Sequence, residues 1–102
     1  MKLLSKELIE KIPPLYDQDG KGVNQIAYAK LFTPDANWSW YITEFDPGSK
    51  TCFGLVDGFE KELGYFSLTE IEEVKGPLGL EVERDISFKP IKLKELGFNY
   101  GE

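Results

Sequence analysis

Asn37-Trp38-Ser39-Trp40-Tyr41-Ile42-Thr43-Glu44-Phe45 is the stretch on which the fold turns. Aromatic and β-branched side chains dominate it, and such residues fit a pleated, extended chain. Strand alternation sets Trp38, Trp40 and Ile42 on one face and Ser39, Tyr41, Thr43 and Phe45 on the other. Both faces are then apolar, as in a central strand covered on both sides. Gln25 to Phe32, Thr51 to Val56 and Phe59 to Phe66 have the same character. The turn signals Thr33-Pro34-Asp35-Ala36, Asp46-Pro47-Gly48-Ser49 and Asp57-Gly58 separate them. A four-stranded antiparallel meander is the economical prediction.

Helix signals lie on either side of it. Ser5 can cap a helix of about two turns carrying Leu4, Leu8 and Ile12, with Glu7 near its positive end and Pro13-Pro14 as the stop. The polar, glycine-bearing segment Asp17 to Gly22 reads as a loop. Ser67-Leu68-Thr69-Glu70 matches a capping box and opens a helix to about Val74, ended by Gly76-Pro77. From Leu80 to Phe88, Leu80, Val82, Ile86 and Phe88 alternate with Glu81, Glu83, Asp85 and Ser87, which predicts a fifth, amphipathic strand. Pro90 to Leu96 is a tail with room for one helical turn. The expected fold class is α+β: a mostly antiparallel sheet of about five strands, with an N-terminal helix and a short helix before the last strand, in a single domain over 1–102.

Composition narrows the chemistry. With 102 residues, 41% hydrophobic and 14% aromatic content, a folded domain is expected despite a net charge of −6. The chain contains no histidine, which removes the commonest general base and the usual zinc and iron ligands. Cys52 is the single cysteine, so it has no intramolecular partner, and without a histidine to activate it the residue reads as a small buried hydrophobe. The expectation is a non-enzymatic protein without cofactor or metal. No apolar run reaches the ~18 to 20 residues of a membrane span, and Met1 to Ser5 turns polar too early for a signal peptide, so a cytoplasmic location is expected. The sequon Asn37-Trp38-Ser39 is then a chance match. Asp17 and Asp19 before Gly22 imitate the start of an EF-hand loop, but Lys21 and Tyr28 stand where ligands belong. The same loop lacks the glycine and Ser/Thr of a phosphate-binding loop.

Three features remain as candidates for function. From Asp57 to Asp85 nine acids face three bases, a local charge of −6, while the rest of the chain is balanced. Such a surface disfavours nucleic acid and anionic membranes and favours a partner protein with a basic surface. The candidate contact residues are Glu81, Glu83 and Asp85 on one strand face, joined either by Glu60 and Glu62 or by the helix acids Glu70, Glu72 and Glu73. A solvated face is the plainer account of them. Trp38 and Trp40 form an aromatic contact surface if their face is open, and core if it is not. Arg84, the only arginine, stands on the apolar side of the fifth strand, either as a structural ion pair or as a fork that captures an anionic ligand. An open sheet also leaves an edge strand, so a monomer or weak homodimer is expected.

Asn37 to Asp46, Phe53-Gly54-Leu55-Val56-Asp57-Gly58, Leu63 to Leu68, Gly76-Pro77-Leu78-Gly79-Leu80 and Glu83-Arg84-Asp85 together resemble a family of small bacterial proteins catalogued as domain of unknown function 2958. The resemblance covers nearly the whole chain. It implies cargo of plasmids, conjugative elements and prophages, often beside anti-restriction and DNA-processing genes, and it supplies no catalytic residues. Together with the acidic segment it leads to an expected role as an accessory of a mobile genetic element that binds another protein, with inhibition of a host defence or nucleic-acid enzyme as one outcome. The alternative is a small-molecule or cation-binding domain using Arg84 or nearby carboxylates.

Overall fold

In the computed structural model, which describes residues 3–98, the chain runs through α1 (Lys6–Lys11), β1 (Ile26–Ala27), β2 (Ala29–Phe32), β3 (Ser39–Asp46), β4 (Thr51–Asp57), β5 (Lys61–Ser67), α2 (Leu68–Glu72), β6 (Glu83–Arg84) and β7 (Ile91–Lys92). Short 3-10 turns occupy Gly22–Asn24 and Leu93–Leu96. Five strands pair antiparallel in the order β5-β4-β3-β2-β6, and β1 pairs with β7 as a separate ribbon. The fold class is α+β, as the sequence predicts.

Both helix starts obey local chemistry. Ser5 Oγ accepts from the Leu8 N–H at 3.2 Å, and Ser67 Oγ accepts from the Glu70 N–H at 3.2 Å. Each satisfies a backbone donor that the first helical turn leaves orphaned. After α1 the proline pair carries the chain onto the sheet, where the Pro13 carbonyl accepts from the Phe45 N–H at 2.9 Å.

β3 is central and covered on both sides. Leu31, Trp40, Ile42, Phe45 and Cys52 pack against Leu3, Leu4 and Ile12 and against Leu68 and Ile71 of α2. On the other face Tyr41 and Leu55 pack with Ala27, Leu93 and Phe98. A β-bulge interrupts the alternation: Ile42 pairs with Gly54, but Glu44 pairs with Phe53 and Phe45 with Cys52, leaving Thr43 as the extra residue. Phe45 therefore joins Trp40 and Ile42 instead of the Tyr41 face that uninterrupted alternation predicts. The bulge also turns Glu44 away from the aliphatic layer, where its carboxylate would be without partners.

The fifth strand is shorter than its alternation suggests. Only Glu83 and Arg84 pair, opposite Phe32 and Leu31. Val82 is buried, but Ile86 is 84% exposed, so the apolar positions do not form one buried stripe. Asp85 ends the pairing, because its Oδ1 accepts from the Ser87 N–H at 2.9 Å and its carbonyl from the Phe88 N–H at 3.2 Å. The partner is short as well, since the predicted Gln25 to Phe32 strand breaks at Tyr28 into β1 and β2.

Candidate functional site

β2, β3, β4 and β5 begin or end at one end of the sheet, where hydrogen bonds and ring contacts tie the loops together. The 33–38 loop is closed by Thr33 N–H donating to the Trp38 carbonyl at 3.0 Å and by Trp38 N–H donating to Thr33 Oγ1 at 3.2 Å. Half-buried Trp38 lies 6.1 Å from the Trp40 ring and meets Phe59 edge-on at 5.5 Å. A Cβ on Gly58 would clash with the Trp38 ring, so glycine is what lets the β4–β5 turn settle on the indole. Yet Phe59 itself is 95% exposed. In the same loop, Asp35 Oδ2 accepts from the Leu78 N–H at 2.7 Å and lies 3.5 Å from the Leu80 N. Gly76 has no Cβ to collide with that carboxylate, which accounts for the glycine in Gly76-Pro77-Leu78-Gly79. Leu78, so anchored, is 80% exposed.

The strand register assigns the acids. Glu62, Val56, Trp40, Leu31 and Arg84 are successive cross-strand partners, hence on one face; Lys61, Asp57, Ser39, Phe32 and Glu83 form the next row, on the other. Four strand spacings of ~4.8 Å put Glu60 and Glu62 roughly 19 Å from Glu83, at the opposite edge. The single strip expected from joining them with Glu81, Glu83 and Asp85 does not form. Glu60, Glu62, Glu81 and Glu83, all exposed, instead flank the loop end from its two edges. The helix acid that does join Glu81 is Glu72, whose Oε2 also accepts from the Leu3 N–H at 3.2 Å. Trp40 is buried at 8% exposure, so Trp38 alone of the two indoles reaches the loop surface.

Arg84 is half-buried and donates from Nη1 to the Leu3 carbonyl at 3.2 Å. Among the described residues it forms no ion pair. Its side chain lines a cavity of about 180 Å³ with Ser5, Lys11, Tyr28, Glu7 and Asp85. Asp85 thus belongs to this cavity, and its charge with that of Glu7 offsets the two bases.

One residue that matters escaped the sequence. Glu44, turned by the bulge, is 4% exposed and accepts from the Tyr16 N–H at 2.9 Å and the Gln18 N–H at 2.6 Å. These bonds fasten the 16–18 loop over the second sheet face and hold Tyr16 at φ 73°, a conformation that costs a side-chain-bearing residue about 1 kcal/mol or more. Beside Glu44, Phe53 and Tyr65 meet edge-on at 4.8 Å. Partial removal from water, the adjacent Tyr16 hydroxyl and the charges of Glu44 and Asp19 raise the Tyr65 phenol above its ordinary range. The available signal was an acid at the position where alternation expects a core residue beside Trp40 and Ile42.

A family model described as protein of unknown function (DUF2958) matches residues 3–95. The chain belongs to the DUF2958 family. No curated protein and no solved structure matches it. Among the described residues of this DUF2958 protein, no three Cys, Asp or Glu side chains converge as a metal site, and no helix is long and apolar enough to cross a membrane. Cys52 of the DUF2958 core is fully buried, and burial pushes its thiol up to about 12.

Proposed function

We propose that this DUF2958 protein is a non-enzymatic protein-binding module that engages its partner through the loop end of the sheet. The observation that carries this is that two large apolar side chains, Phe59 and Leu78, are exposed at the loop end, the Phe59 ring edge-on to Trp38 and the Leu78 backbone N–H bonded to the Asp35 carboxylate. Apolar anchors on a loop whose backbone is fixed in advance lose less freedom on binding, and acids at the margin select a partner by charge. Glu60 and Glu62 from one edge, with Glu81 and Glu83 from the other, supply that margin and match a partner whose apolar pocket has a basic rim. In this account the protein is a cytoplasmic accessory of a bacterial mobile element, a monomer or weak homodimer, and its partner is a host defence or nucleic-acid enzyme. Capture of the partner from a nuclease-treated lysate of the host tests the proposal. One stoichiometric protein that elutes at elevated salt supports it; an empty eluate contradicts it.

A second reading rests on Arg84, whose guanidinium has donors to spare and no carboxylate partner among the described residues. It assigns the adjoining cavity to a small anion. Calorimetric titration with succinate and with inorganic phosphate tests it: saturable heat that disappears in Arg84→Met supports anion capture, and heat unchanged by that substitution refutes it.

A further inference from the structure

Phe53, Tyr65 and Tyr16 wall a cavity of about 320 Å³ on the second sheet face, and the charged residues lining it, Glu44 and Asp19, are both acids. The cavity lies away from the Phe59 and Leu78 loop end, so what it holds is independent of the function proposed above. Its volume is at the lower end of the roughly 300–1,000 Å³ that small-ligand sites occupy. A carboxylate has about four acceptor positions on its two oxygens, and the Tyr16 and Gln18 amides take one on each. Fastening the 16–18 loop explains those two bonds. It does not explain why an acid reaches this cavity beside the exposed Asp19, or why three aromatic rings line the same cavity. Aromatic rings attract cations through their electron-rich faces, and two carboxylates without a lining lysine or arginine exclude anions.

We infer that this cavity binds the primary ammonium group of a small alkyl chain, with Glu44 and Asp19 matching its charge and Phe53, Tyr65 and Tyr16 lining the path of the chain behind it. The bulge in β3 is the device that builds the site, because without it Glu44 would face α1 and α2. The ammonium arrives either on a free amine or on a lysine side chain of a protein, and one experiment separates the two.

The uniformly 15N-labelled full chain is titrated at constant ionic strength with butylammonium, with butan-1-ol as the neutral counterpart, and with acetyl-Gly-Lys-Gly-amide. Saturable shifts of the Gly20, Gly22 and Phe53 amides with butylammonium, absent with butanol, are expected. Saturation by the peptide as well assigns the site to a protein-borne lysine; saturation by butylammonium alone assigns it to a free amine. Tyr65→Ala, which leaves both Glu44 bonds intact, weakens binding about fivefold, the loss expected for one exposed cation–π contact. Asp19→Asn weakens it in the same direction. Equal shifts with butanol, shifts that never saturate, or affinity unchanged in both variants overturns the inference.

Discussion

The side chain of Gln18 pairs with the peptide of Ile26 as a strand would: Nε2 donates to the Ile26 carbonyl at 2.9 Å while Oε1 accepts from the Ile26 N–H at 2.7 Å. The same Nε2 donates to the Thr43 carbonyl at 2.8 Å, at the bulge. One buried amide therefore satisfies the Ile26 peptide of β1 and the Thr43 carbonyl at the bulge of β3. Gln18→Ala leaves these groups buried and unpaired, and is expected to lower stability by about 3 kcal/mol. Urea unfolding measures it; a loss below ~1 kcal/mol would mean that water replaces the amide.

Two glycines on neighbouring strands pair with each other and should respond oppositely. Gly54 is paired with Gly64 across β4 and β5. A Cβ on Gly54 would overlap the Tyr41 carbonyl oxygen, whereas a Cβ on Gly64 meets nothing within 4 Å. Gly54→Ala is expected to destabilise by about 3 kcal/mol or more, through a backbone that must shift. Gly64→Ala should fall between neutral and about 1 kcal/mol more stable, because alanine restricts the unfolded chain. Thermal melts of the pair check both signs.

Cys52 sets an alkaline limit. Its folded pKa lies near 12 against an ordinary 9.0, so above the ordinary value the unfolded chain binds fewer protons than the native one. Stability from this group is complete below 9.0 and is lost as pH rises toward about 12. The slope approaches about 1.4 kcal/mol per pH unit. Cys52→Ala should flatten that limb even though it lowers stability at neutral pH by opening a cavity. In the native wild type the thiol should also resist a soluble disulfide reagent at pH 8, reacting only at the rate of unfolding.

Ser49 controls Asp46 in the β3–β4 turn. The Asp46 carboxyl lies below its ordinary value, first because the Ser49 hydroxyl donates to it at 2.6 Å and then through backbone N–H groups. Ser49→Ala should raise the Asp46 pKa toward the ordinary value, as read by side-chain carboxyl NMR. The stabilisation linked to this depressed pKa is present above the ordinary value and is lost as pH falls below it and through the depressed folded value, so the variant's loss should vanish in strong acid.

Much of the frame was legible because it is written locally. Ser5 and Ser67 announce helix starts through their own hydroxyls, and the three turns separate the strands of the meander. The bulge was not, since Thr43 and Glu44 carry no turn residue. Only the misplaced charge of Glu44 marks it, as the misplaced charge of Arg84 marks the cavity beside α1. Asp17 to Gly22 looked like an ordinary polar loop, yet Gln18 within it is buried, because its amide found backbone partners 8 and 25 residues away. The acids of β5 and β6 could not be apportioned from sequence. Strand order places them at opposite edges, and edge position depends on pairings that no local pattern encodes.

The measurement that bears most directly on the account is partner capture from one host lysate by the wild type and by Phe59→Ser/Leu78→Ser, side by side. Both substitutions fall on exposed side chains, so the melting temperature should hold within a few degrees. The double variant is expected to keep its fold and lose the partner. Full retention by a folded double variant would contradict it.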